Sequence, residues 1–221
     1  MHRLRIATLR KIERNPSVFE FLYRLQGASS DSLASPETNI LLEGFPRSAN
    51  TYSLYALRHS QNNLKISGHT HRPGNVILGL KYKIPVCVLI RNLHDAVKSP
   101  LVRNPQYSGS NCFRQYISFY SLLLPRKNEF LVAEFEDVVA NFDTVIDGLN
   151  SKYKLHLKPF KSNIETNQLI EQSLLTRNGN RGWRYSYLPE KIRNTRKSEI
   201  TIDNNALLNK CNELYERFTV I

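Results

Sequence analysis

The stretch NILLEGFPRSANT, residues 39–51, decides the fold. It opens with a short apolar run, NILLE, which has the length and composition of a buried strand and stops at Gly44. Residues 50–60 then have the pattern of a helix. The residues between them include Gly, Pro, Ser and Ala, and they predict a loop that leads from the strand into the helix.

The same alternation continues along the chain. Further strands are predicted at 85–90, with the sequence PVCVLI, and at 129–133. Helices are predicted at 111–124, at 136–152, and from about His94 to Pro100. Short buried strands that alternate with helices imply an α/β fold, a three-layer sandwich with a central parallel sheet. In such sheets ligands bind beyond the carboxyl ends of the strands, where residues 44–51, Arg91 and Phe135 fall.

The N-terminal segment differs from the rest of the chain. Residues 3–26 have apolar positions at helical spacing, with a break near Asn15-Pro16, and they are rich in arginine. A Ser- and Asp-containing loop follows at 27–38. We therefore predict a basic helical segment and loop over 1–38 and an α/β domain over 39–221. A basic amphipathic segment either covers the main domain or lies on a membrane, and the first interpretation is favoured.

Net charge, apolar runs and cysteine spacing restrict the classes of ligand, location and site that are expected of this chain. The 221 residues carry 31 Lys and Arg against 19 Asp and Glu, a formal net charge of +12, so the chain attracts anions. No apolar run approaches the length of a membrane-spanning helix, and no secretory signal is recognisable, which predicts a cytoplasmic protein. Three widely spaced cysteines predict neither a disulfide framework nor a metal site.

The sequence GFPRSANT, residues 44–51, fits the eight-residue frame of a phosphate-binding P-loop, G-x-x-x-x-G-K-[ST], with two changes. Ala49 replaces the second glycine and Asn50 replaces the lysine, whereas Thr51 is retained. Backbone N–H groups and hydroxyls at such a helix start form a cradle for an anion. The cation now lies within the loop, at Arg47, which suits a donor with less charge than ATP, such as a phosphosulfate. A P-loop kinase remains an alternative, although no clear Mg²⁺-binding Asp follows a strand.

Together with Tyr52, the loop resembles the 5′-phosphosulfate loop of sulfotransferases that use 3′-phosphoadenosine 5′-phosphosulfate (PAPS). The pattern of that loop in the family is roughly [YF]-P-[KR]-S-G-[TN]-T, followed by an aromatic or apolar residue. Only Ala49 departs, since the family usually has Gly there. If that position requires a positive φ, Ala costs about 1 kcal/mol of strain. The resemblance implies that Arg47 stabilises the leaving phosphate and that Tyr52 faces the adenine. It implies donor contacts for the whole loop, namely Pro46, Arg47, Ser48, Ala49, Asn50 and Thr51.

Three further segments resemble the same family. RNLHDAVKS, residues 91–99, resembles the 3′-phosphate motif, which implies that Arg91 and Ser99 bind that phosphate. FLVAEFED, residues 130–137, resembles a strand and motif that place Phe135 near the adenine, although core packing suits Phe135 equally well. TRNGNRGWR, residues 176–184, resembles an irregular form of the basic segment that covers the nucleotide, with Arg181 and Gly182 as the implied contacts.

A candidate base lies in SGHTHRP, residues 67–73, which resembles the family segment K-T-H-x-P. His71 matches the catalytic histidine, and a neutral imidazole suits proton abstraction. His69 occupies the position of the lysine, and in an extended segment both rings would face the same side. Some carbohydrate sulfotransferases use Glu instead, in which case His71 only positions the substrate.

The resemblance spans about residues 39–190 and implies sulfuryl transfer from PAPS to a hydroxyl or amine, with 3′-phosphoadenosine 5′-phosphate (PAP) as product and no metal. The expected acceptor is a carbohydrate or small molecule, shaped by residues 61–75 and 102–111. A non-catalytic nucleotide or polyanion binder is the alternative from another class. A nucleic-acid partner explains the charge but not the ordered phosphate motifs, so none is predicted.

Overall fold

The computed structural model describes residues 2–27, 29, 31–92, 109–160, 166, 168–170, 172–173 and 205–220, with side chains from residue 8 onward. The strands are β1 (Ile40–Gly44), β2 (Ile66–Gly68), β3 (Val86–Ile90) and β4 (Leu131–Glu134). The longer helices are α1 (His2–Arg14), α2 (Pro16–Leu25), α3 (Asn50–Ser60), α4 (Pro73–Lys81), α5 (Gly109–Leu123), α6 (Phe135–Ala140), α7 (Asp143–Tyr153) and α8 (Asn205–Thr219). A 3₁₀ helix occupies Leu124–Glu129.

The described strands form one parallel sheet in the order β2-β1-β3-β4. Strand β1 is central, with Leu42 opposite Gly68 of β2 and Cys87 of β3. Gly68 has φ +141°, and a side chain there would begin 1.9 Å from the Leu42 carbonyl oxygen. Only glycine therefore permits this close approach at the end of β2.

Both faces of the sheet are covered. Along β3, Val86, Val88 and Ile90 belong to one apolar cluster, whereas Cys87 and Leu89 belong to a second one. Successive strand side chains point to opposite faces, so this alternation places one core on each side. Helices α2, α4, α5 and α8 contribute to the first core, and α3, α6 and α7 contribute to the second. The predicted α/β class with a helix-covered parallel sheet is confirmed.

Two predicted element boundaries were wrong. The single helix expected at 136–152 is two helices, because the chain becomes extended at Asn141, with φ −152°, and the Phe142 side chain is buried in the second core. The strand expected at 129–133 begins at Leu131, since the residues before it form the 3₁₀ helix. Helices α4 and α8 were not predicted. The helix expected from His94 lies outside the described residues.

The basic N-terminal segment is two helices, and the second one is capped by Asn15, whose side chain accepts a hydrogen bond from the Val18 N–H. Phe19 of α2 is fully buried and packs against α4. Arg10 of α1 donates to the Ser118 hydroxyl of α5 at 2.9 Å. The pair therefore covers one side of the first core. No helix within the described part of the chain is both long and apolar enough to cross a bilayer.

Candidate functional site

The loop after β1 contains two residues with a left-handed backbone conformation. Arg47 has φ +75° and Ala49 has φ +62°, whereas Pro46 and Ser48 do not have positive φ. Alternation of left-handed residues with residues of negative φ is typical of backbone nests that bind anions. The Ser48 N–H of this loop donates to the Phe45 carbonyl oxygen at 3.2 Å. The loop ends at the N-terminus of α3, where the helix dipole adds partial positive charge. Ala49 thus has the positive φ at which alanine costs about 1 kcal/mol of strain.

The loop is held closely against the sheet. A side chain at Gly44 would begin 2.6 Å from the Leu89 carbonyl oxygen, so this position requires glycine. The Tyr120 hydroxyl of α5 donates to that carbonyl oxygen at 2.8 Å and accepts from the Phe45 N–H at 3.4 Å. Burial raises the pKa of Tyr120, which keeps the hydroxyl protonated and able to donate. Sequence reasoning missed this tyrosine, which fastens the start of the loop.

Asn50 does not replace the P-loop lysine in function. Its side chain is 5% exposed and turned inward, where Nδ2 donates to the Phe45 carbonyl oxygen at 3.0 Å. Its Oδ1 is buried beside Gly44 and has no hydrogen-bond partner among the residues that the structure describes. Asn50 therefore fixes the shape of the loop and leaves a buried acceptor next to it. Ser48 is also fully buried, and Thr51 is half-buried.

The last side chain of β1 before the loop, Glu43, is fully buried and was not predicted as a site residue. It accepts hydrogen bonds from the Thr70 N–H and hydroxyl, at 2.9 and 2.5 Å, from the His71 N–H at 3.0 Å and from Asn75 Nδ2 at 2.8 Å. Burial raises the pKa of Glu43, and the hydrogen bonds from Asn75 and Thr70 oppose that effect. The carboxyl group thus anchors the turn that carries the two histidines.

His71 lies directly beside the loop. Its Nδ1 is 2.9 Å from the Gly44 carbonyl oxygen, and since a carbonyl only accepts, Nδ1 carries the proton. Nε2 of the neutral ring is then the basic nitrogen. The two histidines do not lie in an extended segment as expected, because His69 and His71 both have positive φ, +68° and +55°. Their rings nevertheless meet, with centroids 4.7 Å apart.

Arg91, at the end of β3, joins the loop to the end of β4. Its Nη1 donates to the Arg47 carbonyl oxygen at 3.2 Å, and its Cζ lies 3.6 Å from the centroid of the Phe135 ring. The Tyr116 hydroxyl donates to the Arg91 carbonyl oxygen at 3.1 Å. Arg91 therefore contacts both the backbone of the loop at Arg47 and the ring of Phe135.

The other predicted site residues are distributed differently. Tyr52 packs edge-on against Phe142 and Phe160, with ring centroids 6.2 and 6.4 Å apart, and so contributes to the second core. Ser99, Arg181 and Gly182 lie outside the described residues. No group of three His, Cys, Asp or Glu side chains suited to a metal ion occurs in the described ranges.

A cavity of about 450 Å³ lies beside the site. Asn50 and His69 line it on the side of the phosphate loop. Apolar side chains of β1, β2 and α3 line it together with the charged residues Asp31 and Arg58. The cavity is therefore both polar and apolar, and it adjoins the histidine pair.

Comparison with known proteins finds similarity among solved structures. No family model matches the chain, and no curated protein matches it. Among solved structures the chain is similar to the crystal structure of mouse sulfotransferase SULT7A1 complexed with PAP, with 13% identity and a TM-score of 0.42. The match covers 65% of this chain and 65% of that chain.

Proposed function

We propose that this protein is a sulfotransferase that binds PAPS across the ends of β1, β3 and β4 and transfers its sulfuryl group to a hydroxyl or amine. The observation that carries the proposal is the left-handed loop after β1, joined by Arg91 to Phe135. The cytoplasmic location and the two-part division at residue 38 stay predictions.

The 5′-phosphosulfate fits the loop 44–51. Its backbone alternation and the start of α3 suit a group of low charge held by N–H donors. Asn50 is turned inward and offers no cation, so the loop lacks the lysine at the helix start that ATP-dependent phosphoryl transfer uses. This arrangement favours a phosphosulfate over a nucleoside triphosphate.

The 3′-phosphate fits Arg91. Guanidinium groups bind phosphate with paired hydrogen bonds, and Arg91 already lies between the loop and the Phe135 ring. The cation–π contact orients the guanidinium, while the other face of Phe135 suits an adenine ring. Ser99, Arg181 and Gly182 complete the set that the motifs imply.

Two side chains supply the chemistry. When bound, the donor provides the sulfuryl group and leaves as PAP. Arg47 stabilises the negative charge that develops on the leaving phosphate, which is the largest single effect in reactions of this kind. His71 accepts the acceptor's proton at Nε2, because Nδ1 is already committed to the Gly44 carbonyl oxygen.

The acceptor fits the cavity beside His69. Its volume of about 450 Å³ suits a small molecule or a short carbohydrate, and its mixed lining suits a molecule with hydroxyl groups. Because the rings of His69 and His71 are in contact, a hydroxyl bound in the cavity is near the proposed base.

Calorimetry tests the proposal. We expect wild-type protein to bind PAP and to bind ATP with Mg²⁺ more weakly. Arg91→Ala should weaken PAP binding by about 10- to 100-fold, because a charge-assisted contact is lost. Lys158→Ala, which removes an exposed lysine after α7, is the matched control and should leave PAP binding unchanged. Preference for ATP with Mg²⁺ would favour the kinase. PAP binding without any transfer to a broad acceptor panel would favour the non-catalytic binder.

A further inference from the structure

The outer face of α2 carries an exposed apolar stripe. Phe21 and Leu25 are 63% and 68% exposed, and Val18 is 41% exposed. Their spacing of three and four residues places them on one side of the helix. The opposite side is already used, since Phe19 is buried in the first core. Most of the Phe21 and Leu25 surface is therefore exposed in the part of the chain that the structure describes.

The charges around this stripe have one sign at the surface. Over residues 8–27, the exposed charged side chains are Lys11, Arg14 and Arg24. Of the two acidic side chains, Glu13 is 5% exposed and lies 3.7 Å from Arg72. Glu20 is half-buried, accepts from the Tyr82 hydroxyl at 2.7 Å and forms an ion pair with Arg24 at 2.8 Å. The helical pair thus presents Lys11, Arg14 and apolar side chains outward, whereas Arg24 is paired with Glu20.

The basic surface extends beyond the two helices. Lys81, at the end of α4, is exposed and donates to the Ser17 hydroxyl of α2 at 3.1 Å, and Lys83 is exposed two residues later. The sequence adds Arg3 and Arg5 near the start of α1. A helix with an apolar face and flanking Lys and Arg residues lies in the headgroup region of anionic bilayers.

We infer that α1 and α2 form a peripheral docking surface for an anionic lipid membrane, with Phe21 and Leu25 inserted among the headgroups and Lys11 and Arg14 on the lipid charges. This inference is independent of the proposed sulfotransferase function. An acidic protein partner would use the cations but gains less from two bulky apolar side chains on a convex helix.

Vesicle sedimentation tests the inference with the full chain. Wild-type protein should sediment with phosphatidylserine–phosphatidylcholine vesicles and not with phosphatidylcholine alone, and added salt should weaken the binding. The double variant Lys11→Glu and Arg14→Glu should reduce binding by at least about tenfold. The matched control is Lys158→Glu with Lys210→Glu, which makes the same change in net charge elsewhere on exposed surface and should have little effect.

The apolar stripe has its own test. Phe21→Ser with Leu25→Ser should lower binding by about tenfold or more, whereas Val139→Ser with Val220→Ser, two exposed apolar positions elsewhere, should not. Phe21→Trp keeps the apolar character. The emission of the added tryptophan, obtained by subtracting the wild-type spectrum, should shift to shorter wavelength on anionic vesicles. Absence of sedimentation with anionic vesicles, equal losses in the control variants, or binding to polyglutamate but not to vesicles would each overturn the inference.

Discussion

The ends of β1 and β4 lie at the same edge of the sheet, yet they are built differently. Strand β1 passes through a five-residue loop with two left-handed positions before α3 begins, whereas β4 enters α6 directly at Phe135. Glu43 of β1 accepts four hydrogen bonds, whereas Glu134 of β4 accepts one from the Tyr215 hydroxyl. The carboxyl ends of these two parallel strands therefore differ in backbone geometry, since the β1 end continues into left-handed loop residues and the β4 end continues directly into a helix.

The largest expected effect is on Arg47, the cation within the β1 loop. Arg47→Ala should slow sulfuryl transfer from PAPS by about 10²- to 10³-fold, because the negative charge that develops on the leaving phosphate loses its cationic partner. Arg47→Lys, which keeps the charge, should recover part of the rate. An Arg47→Ala rate within a few-fold of wild type would remove this side chain from the chemistry.

The two strand-end glutamates should differ strongly in stability. Glu43→Gln places an amide NH₂ among hydrogen-bond donors in a fully buried site, so we expect a loss of about 3 kcal/mol in the free energy of unfolding. Glu134→Gln, at the half-buried end of β4, should cost about 1 kcal/mol. Urea unfolding measures both. Equal losses would mean that the Glu43 network does not hold the β1 end more tightly than β4.

Replacing alanine with glycine should raise the free energy of unfolding in the loop after β1 and lower it in α6, the helix that follows β4. Ala49→Gly relieves a left-handed conformation and should stabilise the protein by about 1 kcal/mol. Ala140→Gly, at the end of α6, should destabilise it by about 0.5–1 kcal/mol because that residue is helical. Paired urea titrations check the signs. Destabilisation by Ala49→Gly would contradict the claim that the left-handed conformation of Ala49 is strained.

Substitution of Phe135 should have the smallest effect of these changes, and that effect should be on PAP binding. Phe135→Leu removes the ring that orients Arg91 and should raise the Kd for PAP by about two- to fivefold. Phe21→Leu, on the far surface of α2, is the control and should leave that Kd unchanged. A hundredfold loss with Phe135→Leu would instead make the β4 end the principal binding element.

Local patterns in the sequence predicted the central part of the fold. The apolar runs of β1 and β3 and the start of α3 were placed within one residue, because strand, loop and helix each have their own composition there. Helix α4 was missed since it contains Gly74 and Gly79, which disfavour a helix on their own. Packing against Phe19 and Leu41 selects these glycines instead.

The supporting shell of the site could not be predicted in the same way. Glu43 binds Thr70, His71 and Asn75, which are 27, 28 and 32 residues away along the chain. Only the folded register of β1 beside β2 brings them together. The available signal was a carboxylate at the end of a buried apolar strand, which is rare without partners. The left-handed turn at His69 and His71 follows from the same contacts.

Backbone amide NMR with PAP tests the central claim most directly. We expect PAP to shift the N–H signals of Arg47, Asn50 and Thr51 strongly and those of residues 131–134 weakly, because the loop after β1 provides the donors and the end of β4 provides a side chain. Shifts confined to β4 or to α1 and α2, or no shifts at saturating PAP, would contradict the assignment of the nucleotide to this loop.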